Sequence, residues 1–149
     1  TDVIVGFPGE TEADVDDTVE TVERVAYDNV FVFRYSRRPG TPAAGMSDQV
    51  EEAVKARRNS RILAVAGRVA AERSRRLTGR TLEVLVDGAS RRDAHALSGR
   101  TRCNRVVNFE GRARVAVGDL AHVRVAEALP HSLRGTLVEG PEEAVCLSR

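Results

Sequence analysis

The chain has 149 residues, 42% of them hydrophobic, which is enough for one ordinary domain or two small ones with a packed core. No apolar run approaches the roughly 18 residues of a membrane-spanning helix. The two cysteines, Cys103 and Cys146, are too few for a disulfide framework or an iron–sulfur cluster. Basic and acidic residues nearly cancel, with 23 against 22, and the low aromatic content of 4% argues against an extended base-stacking surface.

The near-neutral total conceals an uneven distribution of charge. Residues 1–50 carry 10 acidic and 4 basic side chains, a net charge of −6. Residues 51–77 carry 3 acidic and 8 basic side chains, a net charge of +5. An asymmetry of this kind predicts two modules with different partners.

The first elements follow a strand–helix–strand order. Residues 1–6 form a continuous apolar run that predicts a strand covered on both faces, and a capping box at Thr11 and Asp14 begins a helix that should end near residues 28–29. A second run rich in β-forming residues, 30–35, predicts the next strand. This order is the βαβ unit of a parallel sheet or barrel. Because one such unit cannot close a sheet, and the chain opens directly in a strand, we expect the C-terminal piece of a longer protein.

A loop at residues 36–50 leads into a long helix over residues 51–77, one face of which is rich in arginine. A solvated surface is the usual explanation of such a face, and contact with nucleic acid is the alternative. Gly67 is a weak point within this helix.

From residue 78 the apolar period changes from 3.6 to 2. Strands are predicted at the ranges 81–86, 100–109, 112–117, 120–128 and 133–138, with Asp87 and Gly88 as a turn after the first. Five short strands punctuated by glycine indicate a small β-barrel of the oligonucleotide-binding (OB) kind. Residues 141–149 are predicted to be a frayed tail.

Two segments carry candidate chemistry, whereas the three scattered histidines lack metal-ligand spacing. The first is the strand end at residues 6–11, where parallel α/β folds bind ligands, although an ordinary capped turn is the alternative. The second is the run 99–109, in which strand alternation would place Arg100, Arg102 and Asn104 on one face and Arg105 on the other. Guanidinium and amide groups on a barrel face can grip phosphates and read base edges, and a merely solubilising strand is the alternative.

These segments resemble the radical-SAM methylthiotransferases. The sequence T-D-V-I-V-G-F-P-G-E-T at residues 1–11 is similar to the fifth-strand segment of that family. Residues 35–43 match its following motif, Y-S-x-R-x-G-T-P-A, although Arg37 stands where proline is common. Residues from about 73 to 140 resemble the TRAM domain, an RNA-binding barrel. The run G-R-T-R-C-N-R-V-V-N-F and the segment 131–135 resemble the tRNA-modifying, MiaB-type branch.

The resemblance implies transfer of a methylthio group to C2 of N6-isopentenyladenosine beside the tRNA anticodon. It also implies S-adenosylmethionine and two [4Fe–4S] clusters as cofactors. Their cysteine ligands would lie outside this chain, so the chain alone is expected to be inactive. The implied partner is the anticodon stem-loop of tRNA, with no DNA or membrane partner, and the protein is expected to be a cytoplasmic monomer.

The expected architecture is an α/β barrel fragment followed by a small OB-like TRAM barrel. Residues 1–72 would be the end of a radical-SAM, partial TIM-like barrel with its long connecting helix, residues 73–140 the TRAM domain and residues 141–149 the tail. The resemblance assigns the wall of the S-adenosylmethionine pocket to Ile4, Val5, Gly6, Phe7, Phe33 and Tyr35. It assigns contact with a substrate phosphate or the cofactor carboxylate to Arg34 and Arg38. It assigns RNA contacts to Arg100, Arg102, Asn104, Arg105 and Arg134.

Two alternatives stay open at this point. One is the sister class of methylthiotransferases that modifies an aspartate of a ribosomal protein. The other is a non-catalytic TRAM protein that binds RNA.

Overall fold

A computed structural model of the chain describes residues 1–90, 93, 95–111 and 115–140. The chain divides into two compact units, Thr1–Arg73 and Ser74–Arg149, called here the N-terminal and C-terminal units. The elements of the first unit are the strands β1 (Asp2–Val5) and β2 (Phe31–Arg34), the helix α1 (Glu12–Val25), a 3₁₀ turn (Pro42–Gly45) and the helix α2, which runs from Glu52 to Arg75. No described helix is long and apolar enough to cross a membrane.

The N-terminal unit is built on a parallel βαβ arrangement, as its sequence predicts. Strands β1 and β2 pair in parallel from Asp2 opposite Phe31 to Val5 opposite Arg34. The capping box is confirmed, because the Thr11 hydroxyl accepts from the Asp14 amide while the Asp14 carboxylate accepts from the Thr11 amide. Helix α1 ends earlier than predicted, because Ala26 takes a left-handed conformation and its amide donates to Val22.

The two-stranded sheet is covered on one face only. Val5 packs in a buried cluster with Val15 of α1 and Ile62 of α2. On the opposite face Ile4, Phe31 and Phe33 are each more than half exposed, at 58%, 56% and 54%. Within the described structure the first strand is thus covered on one face only, and the prediction that both faces are covered stays a prediction. The apolar run reflects one helix-covered face and one open apolar face.

A ladder of ion pairs joins α2 to α1 and to the segment directly after α1. The pairs are Arg57 with Glu12 (3.2 Å), Arg61 with Asp16 (2.6 Å), Arg68 with Glu23, and Arg73 with Asp28 (2.7 Å). The partners are 45 positions apart in every case, so the two helices run side by side in the same direction. The prediction that charge separates two modules is wrong for this stretch, because the acidic and basic segments neutralise each other within one unit.

The C-terminal unit is a closed five-stranded barrel of the OB kind, as predicted. Its described strands are β3 (Thr81–Ala89), β4 (Ala96–Arg100), β5 (Val106–Glu110), β6 (Leu120–Ala128) and β7 (Leu133–Val138). They close in the order β3-β4-β5-β7-β6, and only β5 and β7 pair in parallel among these strands. The core is formed by inward side chains such as Val84, Phe109 and Leu133. This strand order is that of the five-stranded, Greek-key OB barrel.

Three details of the strand prediction are corrected. Asp87 and Gly88 do not turn the chain, because a β-bulge between Val86 and Gly88 bends β3 and lets it continue to Ala89. The predicted strand 100–109 is interrupted by a turn at residues 101–105, and the strand before it, β4, was not predicted. The predicted strand 112–117 lies partly outside the described residues, and its described part, 115–117, is not a strand. The tail at residues 141–149 also lies outside them.

Candidate nucleic-acid interface

A row of polar side chains crosses the outer wall of the barrel on three neighbouring strands. Ser98 of β4 lies opposite Asn108 of β5, and Asn108 lies opposite Arg134 of β7. Their chain neighbours Leu97, Val107 and Leu133 are buried in the barrel. In OB barrels the face of the second and third strands binds oligonucleotides, and here those strands are β4 and β5. The row Ser98–Asn108–Arg134 therefore lies on the face that the fold uses for nucleic acid.

The segment expected to be one arginine-bearing strand is a turn between β4 and β5. Asn104 adopts a left-handed backbone at φ 60°, and its amide donates to the carbonyl of Thr101 at 2.8 Å. Asparagine tolerates this conformation better than most residues. The strand alternation expected for Arg100, Arg102 and Asn104 is thus wrong, because the chain reverses direction within these residues.

The turn gives its polar side chains different surroundings. Arg100 donates to the side-chain oxygen of Asn104 at 2.8 Å, so Asn104 holds the Arg100 guanidinium in place. Arg102 is 77% exposed and donates to Glu83 at 2.9 Å. Arg105 instead donates to the Ser74 hydroxyl at 2.7 Å in partly buried surroundings. The structure therefore brings Arg100, Arg102 and Asn104 together and directs Arg105 toward the start of its own unit.

Each exposed arginine of this wall has a carboxylate beside it. The distances are 3.4 Å from Arg100 to Asp87, 2.9 Å from Arg102 to Glu83 and 3.6 Å from Arg134 to Glu127. Ion pairs between solvent-exposed groups contribute little to stability. A phosphate can therefore replace these carboxylates at small cost.

The expected cofactor-pocket residues gather at the carboxyl end of β1 and β2. Ile4 and Phe33 are cross-strand neighbours on the open apolar face. Phe7 and Tyr35 extend this group, with their rings edge to face at a centroid distance of 5.3 Å. Val5 differs, because its side chain is fully buried toward the helices and only its backbone, whose carbonyl accepts from the Tyr35 amide, lies at the strand end.

Two cations of α2 hold the segments that follow β1 and β2. Lys55 is buried, and its ammonium donates to the Tyr35 carbonyl at 3.3 Å. Arg58 is also buried and donates to the Glu10 carboxylate at 2.7 Å, which in turn accepts from the Gly6 amide at 2.7 Å. The charge run in the sequence gave no sign that these two cations, unlike their neighbours, point into the unit.

Gly6 is required at this point of the loop. Its φ is +72°, a backbone conformation that side-chain-bearing residues rarely adopt, and an added Cβ would collide with the Lys55 side chain. Burial lowers the pKa of Arg58, but the hydrogen bonds that Arg58 donates to the Glu12 and Glu10 carboxylates outweigh it, so the net pKa lies above its ordinary value. Arg58 thus stays charged and keeps the loop attached to α2.

The two remaining candidates, Arg34 and Arg38, differ in their contacts. Arg34 donates to the Glu52 carboxylate at 2.6 Å in an exposed ion pair. The Arg38 guanidinium makes no hydrogen bond or ion pair with another described residue. Of the two, Arg38 is the one available to an anionic ligand.

The residues present do not fit an iron–sulfur cluster. Cluster ligation takes three or four thiolates, whereas the chain has two cysteines, of which Cys103 is exposed. The described residues contain no group of three or more His, Cys, Asp or Glu side chains that could hold a metal ion. Ile4 and Phe33 form an exposed apolar surface at the end of the β1–β2 sheet.

Comparison with known proteins places these features in a family. Residues 75–138 match the TRAM domain. The chain is 46% identical over 139 residues to a tRNA-2-methylthio-N(6)-dimethylallyladenosine synthase of Thermoanaerobacter sp. (strain X514), an alignment that covers 93% of this chain and 29% of that protein. Proteins of the same name from Pseudomonas paraeruginosa and Xanthomonas campestris pv. campestris are 48% and 49% identical, over 93% and 91% of this chain and 31% and 28% of theirs.

A solved structure is also similar in part. A multidomain protein with nucleic acid binding domains from Streptococcus pneumoniae aligns over 52% of this chain and 30% of its own chain. The TM-score of this alignment is 0.32 and the sequence identity is 15%. The chain spans less than a third of the length of the curated relatives named above. It contains a match to the TRAM domain, and over 91–93% of its length it is similar to the C-terminal parts of these tRNA methylthiotransferases.

Proposed function

We propose that this chain is the tRNA-binding, C-terminal part of an enzyme that methylthiolates C2 of N6-dimethylallyladenosine beside the tRNA anticodon. The observation that carries the proposal is the identity of 46–49% to synthases of that name, which extends over both units and not only over the barrel. An unrelated protein that had merely acquired a TRAM domain would match over residues 75–138 alone.

In this proposal the N-terminal unit completes a radical-SAM α/β barrel. Three features support it: the parallel βαβ order, the two helices on one face of the sheet, and the apolar side chains Ile4, Phe31 and Phe33 on the other. In α/β barrels the helices lie outside and the inward strand residues are apolar. The open face would therefore be the barrel interior, covered by strands that other parts of the enzyme supply.

The carboxyl end of this sheet would contribute to the S-adenosylmethionine pocket. Ile4 and Phe33 would provide the apolar wall, Phe7 and Tyr35 the rim, and Arg38 a contact for a carboxylate or phosphate. Gly6 and Val5 would act through their backbone, since the first has no side chain and the second is buried. When bound, S-adenosylmethionine and the clusters supply the radical and sulfur chemistry. The residues of this chain would position the cofactor and shield it from solvent.

The barrel would hold the tRNA through its arginine-bearing wall. Arg100, Arg102 and Arg134 are exposed and lie within 4 Å of carboxylates that a phosphate can replace. Asn104 would orient Arg100, and Arg105 would stabilise the turn through Ser74. An unpaired stem-loop suits an OB barrel, because such barrels recognise single-stranded segments.

The test is the salt dependence of RNA binding by the full chain. Fluorescence anisotropy would measure the affinity for an RNA stem-loop at a series of salt concentrations, with Arg100→Ala, Arg102→Ala and the double variant. Each lost phosphate contact should weaken binding and reduce the slope of log K against log salt by about one. Arg24→Ala is the matched control, because Arg24 is an exposed arginine of α1 whose ion pair is with Glu20 in the same helix.

Of the two other candidate functions, only the first predicts a different outcome of this titration. An enzyme that modifies a ribosomal protein should bind the stem-loop no better than the double variant does. A non-catalytic TRAM protein should bind it as the proposal expects. Fusion of the chain to the remaining part of a related synthase then separates that protein from an enzyme part, because only the enzyme part restores methylthiolation.

A further inference from the structure

The polar row on the barrel wall includes a side chain that has no hydrogen-bond partner among the described residues. The side-chain amide of Asn108 makes no hydrogen bond with another described side chain or backbone group, whereas Arg100, Arg102 and Arg134 all have polar partners. Asn108 is half-buried in the middle of its strand, with Ser98 and Arg134 opposite it on the two neighbouring strands. A side-chain amide can donate and accept hydrogen bonds at the same time.

The position of Asn108 favours contact with a base rather than with a phosphate. It lies at the centre of β5, the third strand of the OB barrel, between Ser98 on one neighbouring strand and Arg134 on the other. An amide has no charge with which to attract a phosphate. It does present one donor and one acceptor in a plane, which matches the N6 amino group and N7 of adenine in a bidentate pair.

The neighbours of Asn108 complete a small site. The Ser98 hydroxyl also makes no hydrogen bond with another described residue and can serve as a second donor or acceptor. Arg134 is exposed and makes a long ion pair with Glu127 at 3.6 Å, so it can turn to a flanking phosphate. One nucleotide can therefore place its base edge on Asn108 and its phosphate on Arg134.

We propose that Asn108, assisted by Ser98, reads an unpaired adenine of the bound RNA while Arg134 holds the adjacent phosphate. The inference rests on the proposed function, since it assumes that the barrel binds RNA. It goes further by separating the residue that determines base preference from those that supply electrostatic affinity. It predicts that the two contributions can be removed independently.

The experiment uses the full chain and two labelled RNA hairpins with the same stem, one closed by an adenosine loop and one by a uridine loop. Fluorescence anisotropy gives the affinity for each over a range of salt concentrations. The wild-type chain should prefer the adenosine loop, and Asn108→Ala should remove about tenfold of that preference while leaving the salt slope unchanged. Arg134→Ala should keep the preference and lower the slope by about one.

Two further variants distinguish the loss of the Asn108 side-chain amide from a folding defect. Asn108→Thr keeps a β-forming residue in the strand and removes the amide, so it should lose the preference like Asn108→Ala. His122→Ala changes a half-buried outward side chain on β6, two strands away around the barrel, and should change neither quantity. Circular dichroism checks that each variant is folded.

The possible failures are distinguishable. If the wild-type chain binds both hairpins equally, or if the folded Asn108 variants keep the preference or change the salt slope, the inference about Asn108 is overturned. The proposed function survives that result as long as Arg134→Ala still lowers the slope. If the wild-type chain binds neither hairpin, the proposed function fails together with the inference.

Discussion

Single residues of the two units show where local sequence reasoning succeeds and where it fails. The capping box at Thr11 was predictable, because both of its hydrogen bonds join residues three positions apart. The roles of Gly99 and Gly135 were not predictable, because each is set by a strand distant in sequence. A Cβ on Gly99 would collide with the backbone of Leu85, and one on Gly135 with that of Arg124. These glycines allow the strands to approach closely as the barrel closes.

The same substitution should therefore have opposite effects at two glycines. Gly135→Ala should lower the free energy of unfolding by about 1–3 kcal/mol, because the added methyl group meets backbone that cannot move aside. Gly67→Ala should raise it by about 0.5–1 kcal/mol, because Gly67 lies inside α2 with no atom near the new Cβ. Urea unfolding followed by circular dichroism measures both. Equal stability of Gly135→Ala and wild type would contradict the close approach.

At the scale of elements, α1 and α2 form a unit whose charges are complementary. The acidic face of α1 and the basic face of α2 meet at a constant offset of 45 residues. The sequence shows both faces, but it does not show that they meet, because the pairing depends on how the helices pack. Most of these pairs are exposed and individually weak, whereas Arg58 with Glu10 and Glu12 is buried on the arginine side.

The pairing makes the N-terminal unit sensitive to acid. A hydrogen bond from Arg58 holds the pKa of Glu12 below its ordinary value of 4.5, and a hydrogen bond from the Thr11 amide holds that of Asp14 below 3.8. The stabilisation by these carboxylates is complete above their ordinary values and is lost as the pH falls through the lowered ones. The urea midpoint should therefore fall as the pH decreases below about 4.5.

Glu12→Gln tests the cause of that fall. This variant should be less stable than wild type at neutral pH and should show a smaller loss of stability on acidification, because one of the responsible carboxylates is gone. Glu20→Gln is the control, since its exposed ion pair with Arg24 lies within one helix and contributes only tenths of a kcal/mol. A Glu12→Gln profile parallel to that of wild type would show that Glu12 is not involved.

At the scale of the whole chain, the sequence predicts the order of the two units well. The βαβ order, the OB-type barrel and the strands 120–128 and 133–138 are confirmed. The interface is predicted less accurately. Arginine and asparagine in the run 99–109 suggested an alternating strand, but Asn104 has a left-handed backbone and reverses the chain. Asn108 was not singled out, because its importance comes from its two cross-strand neighbours.

The central claim is that this chain supplies the tRNA-binding part of a methylthiotransferase. The most direct test replaces the matching segment of the Thermoanaerobacter synthase by this chain and expresses the chimera in cells that lack their own enzyme. Mass spectrometry of tRNA nucleosides then measures 2-methylthio-N6-dimethylallyladenosine. The chimera should restore this nucleoside, whereas its Arg100→Ala, Arg102→Ala, Arg134→Ala triple variant should not. A folded chimera that leaves the tRNA unmodified, or a triple variant as active as the parent, would contradict this claim.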